Sequence, residues 1–260
     1  MKYFIVDAFA EELFKGNQAG ICVLDKRIDD NLMQNIASEN NLAETAFVLK
    51  TDDGYDLRWF TPEVEIDLCG HATLASAYIL MNYFDSKTDI ISFNTKSGIL
   101  TVTKKDDLFE MDFPSRFPKR TENNRIVQES INVTITETYM SRDMLILLET
   151  EEQVKILEVD IAKIKNVTEC FAFIITAASS NNGYDFVSRF FAPNAGINED
   201  PVTGSSHSTL IPFWAEKLNK NKLTAKQLSK RGGTLYCENK GNRVKISGKA
   251  KLFLEGEIKI

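Results

Sequence analysis

The chain of 260 residues holds only two histidines, His71 and His207, and four cysteines, Cys22, Cys69, Cys170 and Cys237, with no Cys-x-x-Cys pair. Thiols scattered in this way do not form a disulfide framework. Two histidines 136 positions apart, without clustered cysteines, give no zinc signature, so no metal is expected. No uninterrupted apolar run approaches the roughly 18 residues a membrane-spanning helix needs. The apolar residues Tyr3 to Val6 before Asp7 are too few for a signal-peptide core. These absences lead to the expectation of a cytoplasmic protein with no membrane partner. Positive charge is not in excess: 31 Lys and Arg face 37 Asp and Glu, for a net charge of -6. A phosphate backbone is a poor match for that balance, so no nucleic-acid partner is expected. The one locally basic stretch, KLNKNKLTAKQLSKRGG (217–233), reads as a solvated surface with a short helix.

What the chain does have is 43% hydrophobic content, enough for one large domain or two smaller ones. It also has an internal echo. DDGYD (52–56) resembles NNGYD (181–185), RWFTPE (58–63) resembles RFFAPN (189–194), and GHATL (70–74) resembles SHSTL (206–210). More loosely, DLFEMDF (107–113) resembles KLFLEGE (251–257). The offsets of 129, 131, 136 and 144 rise in order, as small insertions in a second copy would produce. The reading is a duplicated α+β domain, with halves at 1–115 and 116–260.

KYFIVDAF, GICVL, TAFVL and YDLRWFTP are β-branched or aromatic runs of strand length. DDNLMQNIASEN (29–40) carries Leu32, Met33, Ile36 and Ala37 on one face and reads as an amphipathic helix. Tight turns are expected at Ser97-Gly98 and Asp106-Asp107, and a helix in EEQVKILEVDIAKIKN. LCGHATLASAYILM (68–81) is different, because it is apolar on every side after its first residues. A helix of that kind must be enclosed. The expected architecture is a curved sheet wrapped around a central helix in each half, starting near residue 70 and again near 205. Pro212 falls about one turn into the second helix.

If the halves are symmetric, their helix starts face one another across a cleft. Helix N-termini offer unpaired N–H groups and positive partial charge, a receptor for a carboxylate. Gly70 and Gly204 let backbone approach a ligand, and Ser205 and Ser206 add hydroxyls. The repeat sets Cys69 opposite Ser205, so the two-thiol arrangement of a two-base racemase is absent. Aligning ETAFVL (44–49) with CFAFII (170–175) sets Glu44 opposite Cys170, leaving one carboxylate without a counterpart. Its apolar neighbours, Leu42-Ala43 and Ala46-Phe47, suit a general base. Each feature also has an ordinary structural reading. Glu44 fits a strand-entry carboxylate, His71 a helix-start residue, Asp200-Pro201 turn chemistry, and Cys69 a semi-buried residue.

Three stretches, NLAETAFV (41–48), FTPEVEIDLCGHATLASA (60–77) and EDPVTGSSHSTLIPFW (199–214), resemble the signatures of the phenazine-biosynthesis isomerase family, the PhzF-like proteins. The opening VDAFAEELFKGNQAGICVL resembles that family's N-terminal stretch, with GNQA where GNPA is commoner. The resemblance covers nearly the whole chain. It implies a fold shared with diaminopimelate epimerase, in which C-terminal strands commonly cross into the other half, a homodimer, and a cofactor-independent isomerase acting on a small carboxylate-bearing metabolite. The model reaction is isomerisation of trans-2,3-dihydro-3-hydroxyanthranilate. By the same resemblance Glu44 is the single acid/base, and His71 and Asp200 assist proton transfer. Cys69, Gly70, Gly204 and Ser205 bind substrate. Ala43 stands where the phenazine enzyme has serine, which removes one hydrogen bond to substrate. Two alternatives stay open: a two-base amino-acid racemase or epimerase, and a non-catalytic metabolite-binding protein. A Cys69 hydrolase is disfavoured because no base can be paired with the thiol from sequence.

Overall fold

The computed structural model describes residues 1–180 and 183–260, so the first two residues of the 181–185 repeat match lie outside the described residues. The chain divides into two compact units, Met1–Asp112 together with Ser247–Ile260, and Phe113–Ile246. The division falls at 112/113 rather than 115/116, and the C-terminal segment belongs with the first unit.

The first unit begins β1 (Lys2–Ala8), β2 (Asn17–Leu24), α1 (Asp30–Asn40), β3 (Glu44–Thr51), β4 (Gly54–Phe60) and the short β5 (Glu65–Ile66). It continues α2 (Gly70–Ile79), β6 (Ile90–Thr95), β7 (Gly98–Lys105) and β8 (Leu108–Pro114). Asp29 caps α1 by accepting from the Asn31 N–H, and left-handed Asn41 ends it. Met33, Ile36 and Ala37 make its buried face. In α2, Ala72, Leu74, Ala75, Ala77 and Ile79 are all fully buried. The helix packs against β1, β2, β3, β7 and the C-terminal strand. Its polar residues satisfy themselves: the Thr73 hydroxyl donates to the Cys69 carbonyl and the Ser76 hydroxyl to the Ala72 carbonyl. That is how a helix with almost no amphipathicity tolerates enclosure.

The second unit runs β9 (Lys119–Thr121), α3 (Arg125–Glu129), β10 (Glu137–Met140), β11 (Met144–Leu147), α4 (Glu151–Lys155) and α5 (Ile161–Ile164). Next come β12 (Phe173–Ala178), β13 (Phe186–Ala192), β14 (Ile197–Asp200), α6 (His207–Leu218), β15 (Lys222–Gln227), β16 (Gly233–Asn239) and β17 (Arg243–Gly248). The last strand, β18 (Ala250–Glu257), pairs antiparallel with β1 in the first unit. Trp214 anchors α6. Its indole N–H donates to the Thr176 hydroxyl of β12 at 3.0 Å, and its ring stacks on Phe186 of β13 at 5.6 Å and 9°. Phe213 meets Tyr139 of β10 edge-on at 4.9 Å. Pro212 has no N–H to give the Ser208 carbonyl, and that carbonyl accepts from the Arg116 N–H at 2.8 Å instead.

The duplication is written in the strand pairing. In the first unit β1–β2 is antiparallel, β2–β3 parallel, β3–β4 and β4–β5 antiparallel, β4–β6 parallel and β6–β7 antiparallel. The same succession recurs as β10–β11, β11–β12, β12–β13, β13–β14, β13–β15 and β15–β16. A side-chain device repeats with it. Arg58 forks onto both carboxylate oxygens of Glu65 at 2.7 and 2.9 Å and lies over the Phe60 ring at 5.2 Å. Arg189 forks onto Glu199 at 2.6 and 3.0 Å and lies over Phe191 at 5.1 Å. The molecule is a duplicated α+β fold.

Four sequence expectations change. Residues 222–227 of the basic stretch form strand β15 rather than a helix, because Leu223, Ala225 and Gln227 alternate inward between Lys222, Thr224 and Lys226. EEQVKILEVDIAKIKN is two short helices, because Thr150 and Asp160 each start a fresh helix as N-caps. KLFLEGE is not the counterpart of DLFEMDF: in chain order β17 follows β16 as β8 follows β7, and β18 is an added strand. The counterpart of Glu44 moves by two residues. Thr45 pairs with Phe60 and Phe173 with Phe191, so Glu44 answers to Ala172 and not Cys170. The shared Ala-Phe dipeptide had drawn the alignment two residues out of register. Glu44 still has no carboxylate counterpart.

Candidate active site

In the first unit the starts of β2, β3 and α2 converge. Because β2 and β3 are parallel, with Ala19 beside Glu44, both strands begin at the same end of the sheet. Asn17 opens β2 and Glu44 opens β3. The turn into β2 needs Gly16, at φ +70: a Cβ there would lie 2.1 Å from the Ala8 carbonyl oxygen. Cys69 stands at the N-cap of α2 without a capping side-chain bond, and His71 follows on the first turn.

These side chains form one buried cluster. Glu44 is 7% exposed, Cys69 and His71 6% each, and Asn17 1%. His71 Nε2 lies 3.0 Å from Glu44 Oε2. The other ring nitrogen, Nδ1, lies 3.5 Å from Cys69 Sγ and 3.3 Å from Asn17 Nδ2. Glu44 Oε2 is fully enclosed, yet no described group makes an aligned hydrogen bond to it, so the His71 contact is an ion-pair approach. A buried carboxylate oxygen left in this state is costly in a purely structural role and suits one that meets a ligand.

Burial raises the pKa of the Cys69 thiol, and the neighbouring Glu44 charge raises it further. A thiol in this setting keeps its proton at neutral pH and is a weak nucleophile. Burial works the other way on His71, but the groups beside it outweigh burial and raise its pKa well above the usual value. Because the thiol stays neutral, the Glu44 carboxylate is the charge that favours the imidazolium. The structure therefore supplies the Cys69–base contact that sequence spacing could not assign, with the thiol in its unreactive form.

Glu44, Cys69 and His71 also place one donor atom each within 4.8 Å of one another, a grouping the sequence pattern did not foresee. Glu44 faces Nε2, whereas Cys69 is nearer Nδ1 (3.5 Å) than Nε2 (4.0 Å). The two donors lie nearest to different ring nitrogens.

In the second unit, Asp200, Gly204 and Ser205 lie on the segment from the end of β14 to the start of α6. The Asp200 carboxylate accepts from the Thr203 hydroxyl. Fully buried Gln227 ties the segment down, accepting from the Thr203 N–H at 2.9 Å and donating to the Asp200 carbonyl at 2.8 Å. Gly204 is buried and Ser205 half-buried. His207, the counterpart of His71, donates from Nδ1 to the Thr203 carbonyl at 2.8 Å, and its Nε2 is buried without a partner among the described residues. Burial lowers its pKa to about 4. Sequence reasoning missed Asn17, Thr203 and Gln227. Asn17 sits in the GNQA stretch and Thr203 in the EDPVTGSS signature, neither of which assigns it a role, and nothing local marks Gln227.

A duplicated α+β fold with a buried Glu–His pair at one helix start defines the class of protein to which the chain belongs. Comparison with known proteins gives the family. A model for the phenazine biosynthesis-like protein family, PhzC-PhzF, matches residues 6–256. An uncharacterized isomerase of Pseudomonas aeruginosa is 45% identical over 255 residues, covering 98% of this chain and 97% of that protein. The crystal structure of a PhzF-family phenazine biosynthesis protein from Enterococcus faecalis is 48% identical, with a TM-score of 0.97 over 100% of this chain and 99% of that one. A probable proline racemase from Agrobacterium radiobacter shares the fold alone, at 8% identity and TM-score 0.64 over 100% of this chain and 93% of that one. The chain belongs to the phenazine biosynthesis-like family. No helix among the described residues is long and apolar enough to cross a membrane.

Proposed function

We propose that this protein is a cofactor-independent isomerase that moves a proton on a small carboxylate-bearing metabolite, with Glu44 as the single acid/base. The observation that carries the reading is the enclosed Glu44 Oε2, held 3.0 Å from His71 and lacking an aligned hydrogen bond. A carboxylate in that state takes a proton from a substrate carbon and returns it to another carbon on the same face, which needs no second base. His71 steadies the carboxylate while its charge changes. Gly70 and Cys69 at the start of α2, and Asp200, Gly204 and Ser205 in the second unit, are assigned to substrate binding, with Asp200 as a helper in proton transfer. The names of the relatives support isomerisation as the reaction class. Register supports one base rather than two, since Ala172 answers to Glu44. We place the enzyme in the cytoplasm as a homodimer.

The test is isotope exchange in D₂O with a panel of small unsaturated and ring carboxylates, trans-2,3-dihydro-3-hydroxyanthranilate among them. Wild type is expected to wash deuterium into one member of the panel and Glu44→Gln is not. Exchange at the wild-type rate in Glu44→Gln removes Glu44 from the role.

A further inference from the structure

We propose that Asn17 and Cys69 are positioning residues that fix the neutral His71 ring as the tautomer with its hydrogen on Nε2, the nitrogen facing Glu44. The placement is independent of the reaction; its catalytic meaning rests on the role given above to Glu44.

Both groups at Nδ1 bring a hydrogen with them. The Asn17 amide nitrogen, 3.3 Å away, only donates. The Cys69 sulfur, 3.5 Å away, is a thiol held in its protonated form by its surroundings, so it donates as well. A ring nitrogen between two donors is left as an acceptor. The single hydrogen of the neutral ring then sits on Nε2, 3.0 Å from Glu44 Oε2. His71 thereby carries a proton on the ring nitrogen nearest the carboxylate in either ring charge state, 3.0 Å from Glu44 Oε2. The second proton of the imidazolium sits on Nδ1, and the Asn17 amide accommodates it by turning to offer Oδ1. Asn17 in this arrangement governs how easily His71 becomes imidazolium.

The chain carries its own control. At the equivalent point of the repeat, His207 Nδ1 faces a carbonyl, the Thr203 oxygen at 2.8 Å. An acceptor there puts the hydrogen on Nδ1, the opposite tautomer. Two histidines at matching helix starts are thus set to opposite forms by what stands beside one nitrogen.

The experiment is 15N NMR of the full chain labelled at histidine. Only two imidazoles contribute, and His207→Gln assigns them. Spectra are recorded above the pH at which the His71 ring loses its second proton. The expected result is a bare Nδ1 and protonated Nε2 for His71, with the reverse for His207. A protonated Nδ1 in neutral His71, as an Asn17 amide turned the other way would give, overturns the proposal. Cys69→Ser is expected to keep the pattern because serine still donates. Asn17→Asp is expected to move the hydrogen to Nδ1, with the His207 signals unchanged as evidence that the fold is intact. If Asn17→Asp leaves the tautomer where it was, Asn17 does not position it; if that variant fails to fold, the wild-type spectrum alone decides. Isotope exchange surviving in Glu44→Gln would sink the functional reading and leave the tautomer result standing.

Discussion

The two helix starts, at α2 and at α6, carry histidine at the same point and use it in opposite ways. His71 meets a carboxylate at one nitrogen and a thiol and an amide at the other. His207 is tied to its own backbone and packs near the Phe186 ring, 5.9 Å between centroids. Duplication supplied the frame, and the neighbours decided which copy holds a titrating cluster. Similar sequence at two places therefore did not give two similar sites: GHATL and SHSTL differ in burial chemistry that the five letters do not carry.

The largest expected effect separates the copies by activity. Glu44→Gln should lower proton exchange by roughly 10²–10⁴-fold, the usual worth of a general acid/base. Ala172→Glu, which restores the missing carboxylate to the other copy, should not recover it in a Glu44→Gln background. Exchange assays on a deuterating substrate check both.

Stability separates the central helices next. Trp214 and Tyr78 hold equivalent positions by the histidine offset, but Trp214 is 3% exposed and Tyr78 is only half-buried. Trp214→Ala should cost about 3–5 kcal/mol. Tyr78→Ala, which loses an edge contact to Phe109, should cost about 1–2 kcal/mol. Urea unfolding with matched m-values measures the difference, and equal losses would deny the asymmetry.

The histidines should also tilt the stability curve in opposite directions. His207 has a folded pKa of about 4, below its unfolded value. Between those values the unfolded chain binds more protons, so stability falls as pH drops from about 6.5 towards 4, by about 3 kcal/mol from this group. His71 has a raised pKa, so its contribution is fully present below its unfolded pKa and is lost as pH rises through the folded one. Unfolding of His207→Gln across pH 4–7 should show a shallower slope than wild type, whatever its absolute stability.

The smallest effect concerns the paired arginine forks. Arg189 also donates to the Val154 and Leu157 carbonyls, and its side chain is 14% exposed against 29% for Arg58. Arg189→Ala should cost about 2–3 kcal/mol and Arg58→Ala about 1 kcal/mol, read from thermal unfolding.

Much of this was legible in the letters. The all-round apolar run at 68–81 announced an enclosed helix, and RWFTPE against RFFAPN located equivalent strands whose arginines do the same work. Glu44 and His71 were both named from motif and repeat. What the letters hid was register and depth. Cys170 for Ala172 is a slip of two residues, invisible to residue similarity and plain in the hydrogen-bond ladder. Strand β15 was masked because lysines on its outer face outweigh the short period-two pattern of its inner one. Asn17 joined the cluster only because β2 and β3 run parallel, a fact about hydrogen bonding between segments far apart in sequence.

The pairing of β1 with β18 has a consequence for how the protein is made. Lys2 registers with Glu257, and the backbone N–H of Ile258 reaches the carbonyl of Met1. On the ribosome, β1 emerges more than 240 residues before that partner, about 12–50 s earlier at ordinary rates of synthesis. Through that interval the nascent first unit carries an open sheet edge, the kind of surface that recruits other chains. The second unit, which needs nothing after Ile246 to be contiguous, is complete before the first can close.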